Sequence, residues 1–177
     1  MNQTQVAPVV EHPRTGDGFV VRPAGPGDRG ALTEMLTGLS DLSLYFRFQT
    51  AVGRPPRPSL IDPLVEPTGG CWVAEHEHRL VAHAMWAWAH GVTGAPTAEL
   101  AIVVADPCQG RGLGLRMVAL AATHAVAAGA AQFLVVVSAA NDRTLRLVRR
   151  HWPTAQAERD GALINFLLPA THATWLA

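Results

Sequence analysis

The segment that most constrains this chain is Ala98-Glu-Leu-Ala-Ile-Val-Val-Ala-Asp-Pro-Cys-Gln-Gly-Arg-Gly-Leu-Gly-Leu-Arg116. An apolar run ends in a turn carrying Gly110, Gly112 and Gly114, and an Ala-rich helical stretch begins at once. A gapless apolar run reads as a buried strand. Glycines let the backbone take positive φ and come close to a ligand. The first N–H groups of the following helix have no intrahelical partner, so together with the helix dipole they make an anion site. Such a nest suits a pyrophosphate.

Three patterns share that physics. A dinucleotide fold wants Gly-x-Gly-x-x-Gly and an acid about 20 residues on, but the glycines here alternate and no acid stands near Ala130. A Walker loop wants Gly-Lys-Ser/Thr, and the chain has no such sequence. The third, Gln/Arg-x-x-Gly-x-Gly/Ala after a strand, is met in full by Gln109-Gly-Arg-Gly112-Leu-Gly114.

Composition narrows the classes. The chain has 177 residues, a length suited to one domain. It carries 14 basic and 14 acidic residues, and zero net charge argues against a phosphate-backbone or anionic-lipid partner. We therefore expect no nucleic acid and no membrane. The longest apolar stretch, Leu113 to Ala128, is interrupted by Arg116 and His124 and falls short of the ~20 apolar residues a span needs. No basic region followed by an apolar run opens the chain, so no signal peptide is expected. Cys71 and Cys108 cannot build a disulfide framework or a cysteine-rich zinc site and read as reduced thiols of a cytoplasmic protein. Every basic residue is Arg; with no Lys, Walker and Schiff-base chemistry is excluded.

Along the chain, residues 1–18 are polar and aperiodic and are expected to be a flexible tail ahead of a single domain over 19–177. Strands are expected at Phe19–Arg22, Cys71–Glu75, Arg79–Trp88, Thr97–Ala105, Gln132–Ser138, Ala155–Arg159 and Ala162–Leu168. Helices are expected from Asp28 to Leu39, over Ser40–Phe48, from the glycine turn to about Ala128, and over Asn141–Arg150. The proline-rich stretch Ala51–Gly70 reads as a long loop or flap.

The glycine turn resembles the coenzyme A loop of the GNAT superfamily of N-acetyltransferases, and the element order from Phe19 to Leu168 is similar to theirs. A second stretch, Leu39-Ser40-Asp-Leu-Ser43-Leu-Tyr45-Phe-Arg47-Phe48, resembles a segment of Pat-type bacterial protein lysine acetyltransferases, as do Ala98-Glu99-Leu-Ala and Val104-Ala-Asp. The resemblance implies an α/β (α+β) GNAT fold: a mixed, mostly antiparallel sheet of about seven strands, splayed between the fourth and fifth, flanked by about four helices. It implies acetyl-CoA as cosubstrate, no metal, and a primary amine as acceptor, a protein lysine ahead of a small amine. It leaves room for a homodimer.

The resemblance also implies roles residue by residue. Ile102, Val103 and Val104 would pair with the pantetheine arm. Amides of Gln109, Gly110, Arg111, Gly112, Leu113, Gly114 and Leu115 would hold the pyrophosphate, with Arg111 adding charge. Asn141 would contact the pantetheine arm, cap its helix, or both. Glu99 would be the general base, acting through a water and partly desolvated at the start of its apolar strand. A tyrosine general acid is missing, since Val148 stands at its position and Tyr45 is the only Tyr.

Other residues weigh less. His83 reads as a core histidine ahead of a second base, and Trp86 and Trp88 as core residues ahead of a groove lining. His76 and His78 lie in a turn whose neighbours rarely converge on a metal. Arg143, Arg146, Arg149 and Arg150 form a solvated helix face, though Arg116, Arg146 or Arg149 could reach a 3′-phosphate. Cys108 has no visible partner to activate it as a nucleophile. Two competing functions remain: a catalytically silent acyl-CoA sensor and, more weakly, a nucleotide-binding protein.

Overall fold

The computed structural model describes residues 18–90 and 94–170; the expected tail lies, but for Gly18, outside the described residues. Twelve elements follow one another: β1 (Val20–Pro23), α1 (Arg29–Thr37), α2 (Asp41–Phe48), α3 (Pro58–Val65), β2 (Gly70–His76), β3 (Arg79–Trp88), β4 (Thr97–Val104), α4 (Leu113–Ala127), β5 (Gln132–Ser138), α5 (Asp142–His151), β6 (Gln156–Asp160) and β7 (Leu163–Pro169). The strands form one sheet in the order β1-β2-β3-β4-β5-β7-β6. β4 and β5 are parallel; the other neighbours are antiparallel.

Strand alternation sends side chains to two packed layers. On one face Trp72, Ala84, Trp86, Ala98 and Leu100 meet Leu113, Met117 and Ala121 of α4 and Leu145 and Val148 of α5. Alanines along α4 let its backbone lie close to the sheet. On the other face Val73 and Val103 meet Leu32, Met35 and Leu36 of α1, Leu44 of α2 and Ile61, Leu64 and Val65 of α3. Each such large side chain contributes about 1.5–3 kcal/mol when fully withdrawn from water.

Among the described residues the flanking helices number five rather than about four, because the proline-rich stretch contains α3. Proline deceived the reading in two ways. Pro58 starts the helix, where its fixed φ is an advantage and its missing N–H is no loss. Pro63 lies inside it, at a cost accepted because Ile61, Leu64 and Val65 are buried at helical spacing. Arg29 of α1 ties α3 down through Asp62 and Glu66.

Candidate functional site

β4 is paired along its whole length with β3, from Trp88↔Ala98 to Ala82↔Val104. Against β5 it pairs only through Thr97, Ala98 and Glu99, with Gln132, Phe133 and Leu134. Beyond Glu99 the strands part, as expected between the fourth and fifth. The amide of Ala105 donates to the Val81 carbonyl (2.7 Å) and that of Ala89 to the Thr97 carbonyl (2.9 Å), so odd-numbered β4 residues face β3. The backbone groups of Ile102 and Val104 therefore face the gap. Those of Val103 face β3, which departs from the expectation that all three residues offer groups there.

The gap leads into the glycine turn. Gly110 and Gly112 have φ of +81° and +78°, a conformation that side-chain-bearing residues rarely adopt. A Cβ on Gly112 would meet nothing within 4 Å, so the space before the α4 N-terminus is open. Gly114 lies inside the first turn of α4, against Val104. Arg111 is exposed, its guanidinium 4.7 Å from the Phe19 ring centroid. Asn141 caps α5, its Oδ1 accepting from the Thr144 amide at 3.1 Å.

A polar brace joins this turn to α2. Asp106 accepts from the Ser40 amide (2.9 Å), the Ser40 hydroxyl (2.9 Å) and the Ser43 hydroxyl (2.6 Å). Burial pushes the Asp106 carboxyl up, but the hydrogen bonds from Ser43 and Ser40 outweigh it and hold it below its ordinary range. Gln109 donates to the Ser43 hydroxyl (3.2 Å) and to the Val104 carbonyl (3.0 Å) in the gap. Arg143 of α5 donates to Gln109 at 3.3 Å. The two serines of the Ser40–Phe48 segment thus have a physical purpose, which their spacing alone did not disclose. Arg143, read as solvated helix face, is brought to the turn.

Beneath α2 and α3, on the face bearing Glu99, lies a cavity of about 570 Å³. Met85, Ala87, Glu99 and Ala101 line it from the sheet, Arg47 and Phe48 from α2, and Leu60, Pro63 and Leu64 from α3. Glu99 is exposed in this cavity, which corrects the expectation that its own strand partly desolvates it. Arg47 is partly buried; it donates to the Met85 sulfur (3.4 Å) and lies 4.9 Å from the Phe48 ring centroid. Its Nε is buried with no hydrogen-bond partner among the described residues. Burial pulls the guanidinium down to about 10, although Glu99 acts to raise it. The sequence singled out Arg47 only as part of a segment; a basic residue amid Leu44, Phe46 and Phe48 was the available signal.

The remaining candidates sort cleanly. His83 is fully buried, its Nε2 2.9 Å from the Leu64 carbonyl, and burial with the nearby Arg47 pushes it down to about 4. It is a neutral core residue. Trp86 is buried in the layer against α4, and Trp88 meets it edge-on at 5.2 Å, so neither lines the cavity. His78 is exposed and the His76 ring packs at 5.1 Å from Phe19; no three potential ligands converge on a metal among the described residues. Cys71 and Cys108 are both buried and unpaired. Val148 is 2 % exposed, within the core. No helix among the described residues is long and apolar enough to cross a membrane.

The profile of the Acetyltransferase (GNAT) family matches residues 39–152. Among solved structures, the GNAT domain of S. lividans PAT superposes with a TM-score of 0.74 at 21 % identity, covering 85 % of this chain and 90 % of that one. A Salmonella typhimurium protein solved with its cofactor acetyl-CoA has a TM-score of 0.64 at 17 % identity, over 86 % and 94 % of the two chains. Spermidine N-acetyltransferase from Vibrio cholerae, in complex with CoA and spermine, has a TM-score of 0.66 at 12 % identity, over 90 % and 99 %.

Proposed function

Because the chain belongs to the GNAT family of acetyltransferases, we propose that it transfers an acetyl group from acetyl-CoA to a primary amine by direct attack on the thioester. The observation that carries this reading is the opened β4–β5 gap, continuous with a glycine turn at one end and beside a cavity holding Glu99. Acetyl-CoA supplies the activated acetyl group, and the chain's own residues do the rest. Ile102 and Val104 offer strand-edge groups to the pantetheine arm, with Asn141 nearby in sequence after β5. Amides from Gln109 to Leu115 hold the pyrophosphate, assisted by the charge of Arg111. The N–H of Val104 polarises the thioester oxygen.

Glu99 is the proposed base. An acceptor ammonium near a pKa of ~10.4 must lose a proton before its lone pair can attack. Glu99, exposed in the free protein, takes that proton through a bound water. Its desolvation comes from the acceptor and cosubstrate closing over it. With Val148 where a tyrosine acid would stand, the leaving thiolate takes its proton from solvent or from the proton lost by the amine.

The proposed acceptor is a protein lysine, supported by the resemblance of the Ser40–Phe48 segment to Pat-type protein lysine acetyltransferases. The volume of the cavity, about 570 Å³, favours a second reading, a small amine, since about 300–1,000 Å³ is usual for small-molecule sites. Thiol release measured across lysine peptides, polyamines and amino sugars decides between them. Binding of acetyl-CoA with no acceptor turned over would support a silent sensor instead. The chain contains no Lys, so mass spectrometry after incubation with acetyl-CoA is expected to find no acetyllysine on the protein itself. The proposed setting is cytoplasmic, supported by the two unpaired thiols.

A further inference from the structure

The cavity beneath α2 and α3 has an unbalanced charge. Three ionisable side chains line it: Glu99 on β4, Arg47 on α2, and Arg57 just before α3. An ammonium acceptor entering it meets one carboxylate and two guanidinium groups, so a purely cationic amine is repelled as well as attracted. Arg57 is exposed and stays hydrated. The Nε of Arg47 does not have that relief. Its Nε is buried and unpartnered, a sulfur accepts its one hydrogen bond to another side chain, and a phenyl ring faces it. His83, a buried residue that feels the charge of Arg47, is neutral, with its Nε2 against the Leu64 carbonyl.

A guanidinium left this way costs the folded state free energy, because a buried donor loses water without gaining an acceptor. Planar, forked donors are suited to a carboxylate, which they grip through two parallel hydrogen bonds. We propose that Arg47 is the anion-binding residue of the acceptor cavity, and that the acceptor carries a carboxylate close to the amine it presents to Glu99. This rests on the reading of the cavity as the acceptor site. The carboxylate has two sources: the α-carboxylate of a free amino acid, or an acidic side chain beside a lysine in a peptide. In either case Glu99 and Arg47 select a molecule carrying both charges, and polyamines are poor acceptors.

Matched acceptors separate these cases. Lysine is compared with lysinamide, acetyl-Glu-Lys-amide with acetyl-Gln-Lys-amide, and spermidine serves as the cation-only control. Thiol release gives kcat and KM for each, with wild type, Arg47→Gln and Arg47→Lys. The wild type is expected to favour the carboxylate member of one pair by about 10- to 100-fold in kcat/KM, mostly through KM. The pair that shows the preference identifies the source. Arg47→Gln is expected to bring that ratio to about 1 while leaving coenzyme A affinity, read by calorimetry, unchanged. Arg47→Lys, a point charge without the fork, is expected to keep part of it.

Arg47→Met, of similar volume, is expected to melt at or above the wild-type temperature, as removal of a group kept for binding rather than for stability should. A wild type that acetylates both members of each pair equally overturns the inference and leaves the acetyltransferase reading standing. The same holds for a preference that survives Arg47→Gln, or for a variant that loses coenzyme A affinity. If no amine is turned over, the acetyltransferase reading fails. Calorimetric binding of the same pairs to the coenzyme A-loaded protein then still decides the carboxylate preference, and no binding by either member overturns it.

Discussion

The glycine turn and the cavity beneath α2 and α3 are the two parts of the proposed site, and they are built from different materials. The turn is backbone: two glycines at positive φ, a helix N-terminus, and strand-edge groups turned into the gap where β4 parts from β5. The cavity is side chain: the Glu99 carboxylate, the Arg47 and Arg57 guanidinium groups, the first with an unpartnered Nε, and an apolar wall from the sheet, α2 and α3. Backbone sites recognise what every coenzyme A-type ligand shares, a pyrophosphate and an amide-bearing arm. Side-chain sites recognise what differs between acceptors. Mutations should therefore act on separate kinetic constants, and the predictions below attack that separation in order of expected size.

Glu99→Gln should have the largest effect. It keeps the shape of the side chain and removes its basicity, so turnover is expected to fall about 10²- to 10³-fold with acetyl-CoA affinity unchanged. Part of the loss should return at high pH, where free amine accumulates. A variant with wild-type turnover at neutral pH removes Glu99 from the mechanism. His83 is no replacement, since it is buried, bonded to Leu64 and neutral.

Gly112→Asp is the complementary break. It places a side chain and a negative charge in the open space before α4 and forces an unfavourable φ on a non-glycine residue. Coenzyme A affinity is expected to fall about 10- to 100-fold, with the acceptor KM little changed when acetyl-CoA is saturating. Gly112→Ala, carrying the strain without the charge, should lose less. Unchanged affinity by calorimetry in a folded Gly112→Asp protein would place the pyrophosphate elsewhere.

The two materials were not equally legible in the sequence. Arg79–Trp88 and Gln132–Ser138 were read to the residue, because apolar patterning and flanking turns mark strands locally. The turn was legible because its backbone runs at positive φ through Gly110 and Gly112, and only glycine supplies that cheaply. The Asn141 cap was legible for a similar reason. The cavity was not. α3 was hidden by its own prolines, although Leu60, Ile61, Leu64 and Val65 carried the helical spacing that betrays it. The burial of Arg47 and the exposure of Glu99 depend on how α2 and α3 lie over β4, a tertiary fact that no local pattern encodes. The splay was implied by family resemblance, but which residues face the gap required the strand register.

The brace between the two sites tests whether they are independent. Asp106→Asn weakens the acceptor that holds Ser40 and Ser43 while roughly keeping its size. Those hydrogen bonds position α2, and through Ser43 and Gln109 they also hold the Val104 end of the gap. Both the acetyl-CoA KM and the acceptor KM should therefore rise, by roughly 3- to 10-fold, with a stability loss of about 1 kcal/mol. A change confined to one constant would show that α2 and the turn merely touch. The wild-type brace should also loosen in acid. A carboxylate held below its ordinary range contributes stability above the unfolded-state value near ~3.9, and that contribution is lost as pH falls through the folded value.

The smallest effect at neutral pH, and the cleanest in acid, is expected at His83. In the folded protein burial holds it near 4, the adjacent Arg47 adding to the shift. In the unfolded chain it takes up a proton near the ordinary ~6.5. The folded value is the depressed one, so the unfolded state binds more protons in the window between them. Stability is therefore complete above about 6.5 and drains away as pH falls towards 4. His83→Gln retains an N–H for the Leu64 carbonyl and does not titrate. At pH 7 its melting temperature should lie close to that of the wild type. At pH 5 the wild type should have lost roughly 5 °C more than the variant, beyond what both lose through their carboxylates. Parallel melting curves across this window would show that His83 is not held neutral, and the packing of α3 over the cavity would need another account. The same experiment on the Arg47→Gln background isolates the guanidinium's share. With that charge gone, the folded histidine should bind its proton more readily, and the acid loss should shrink.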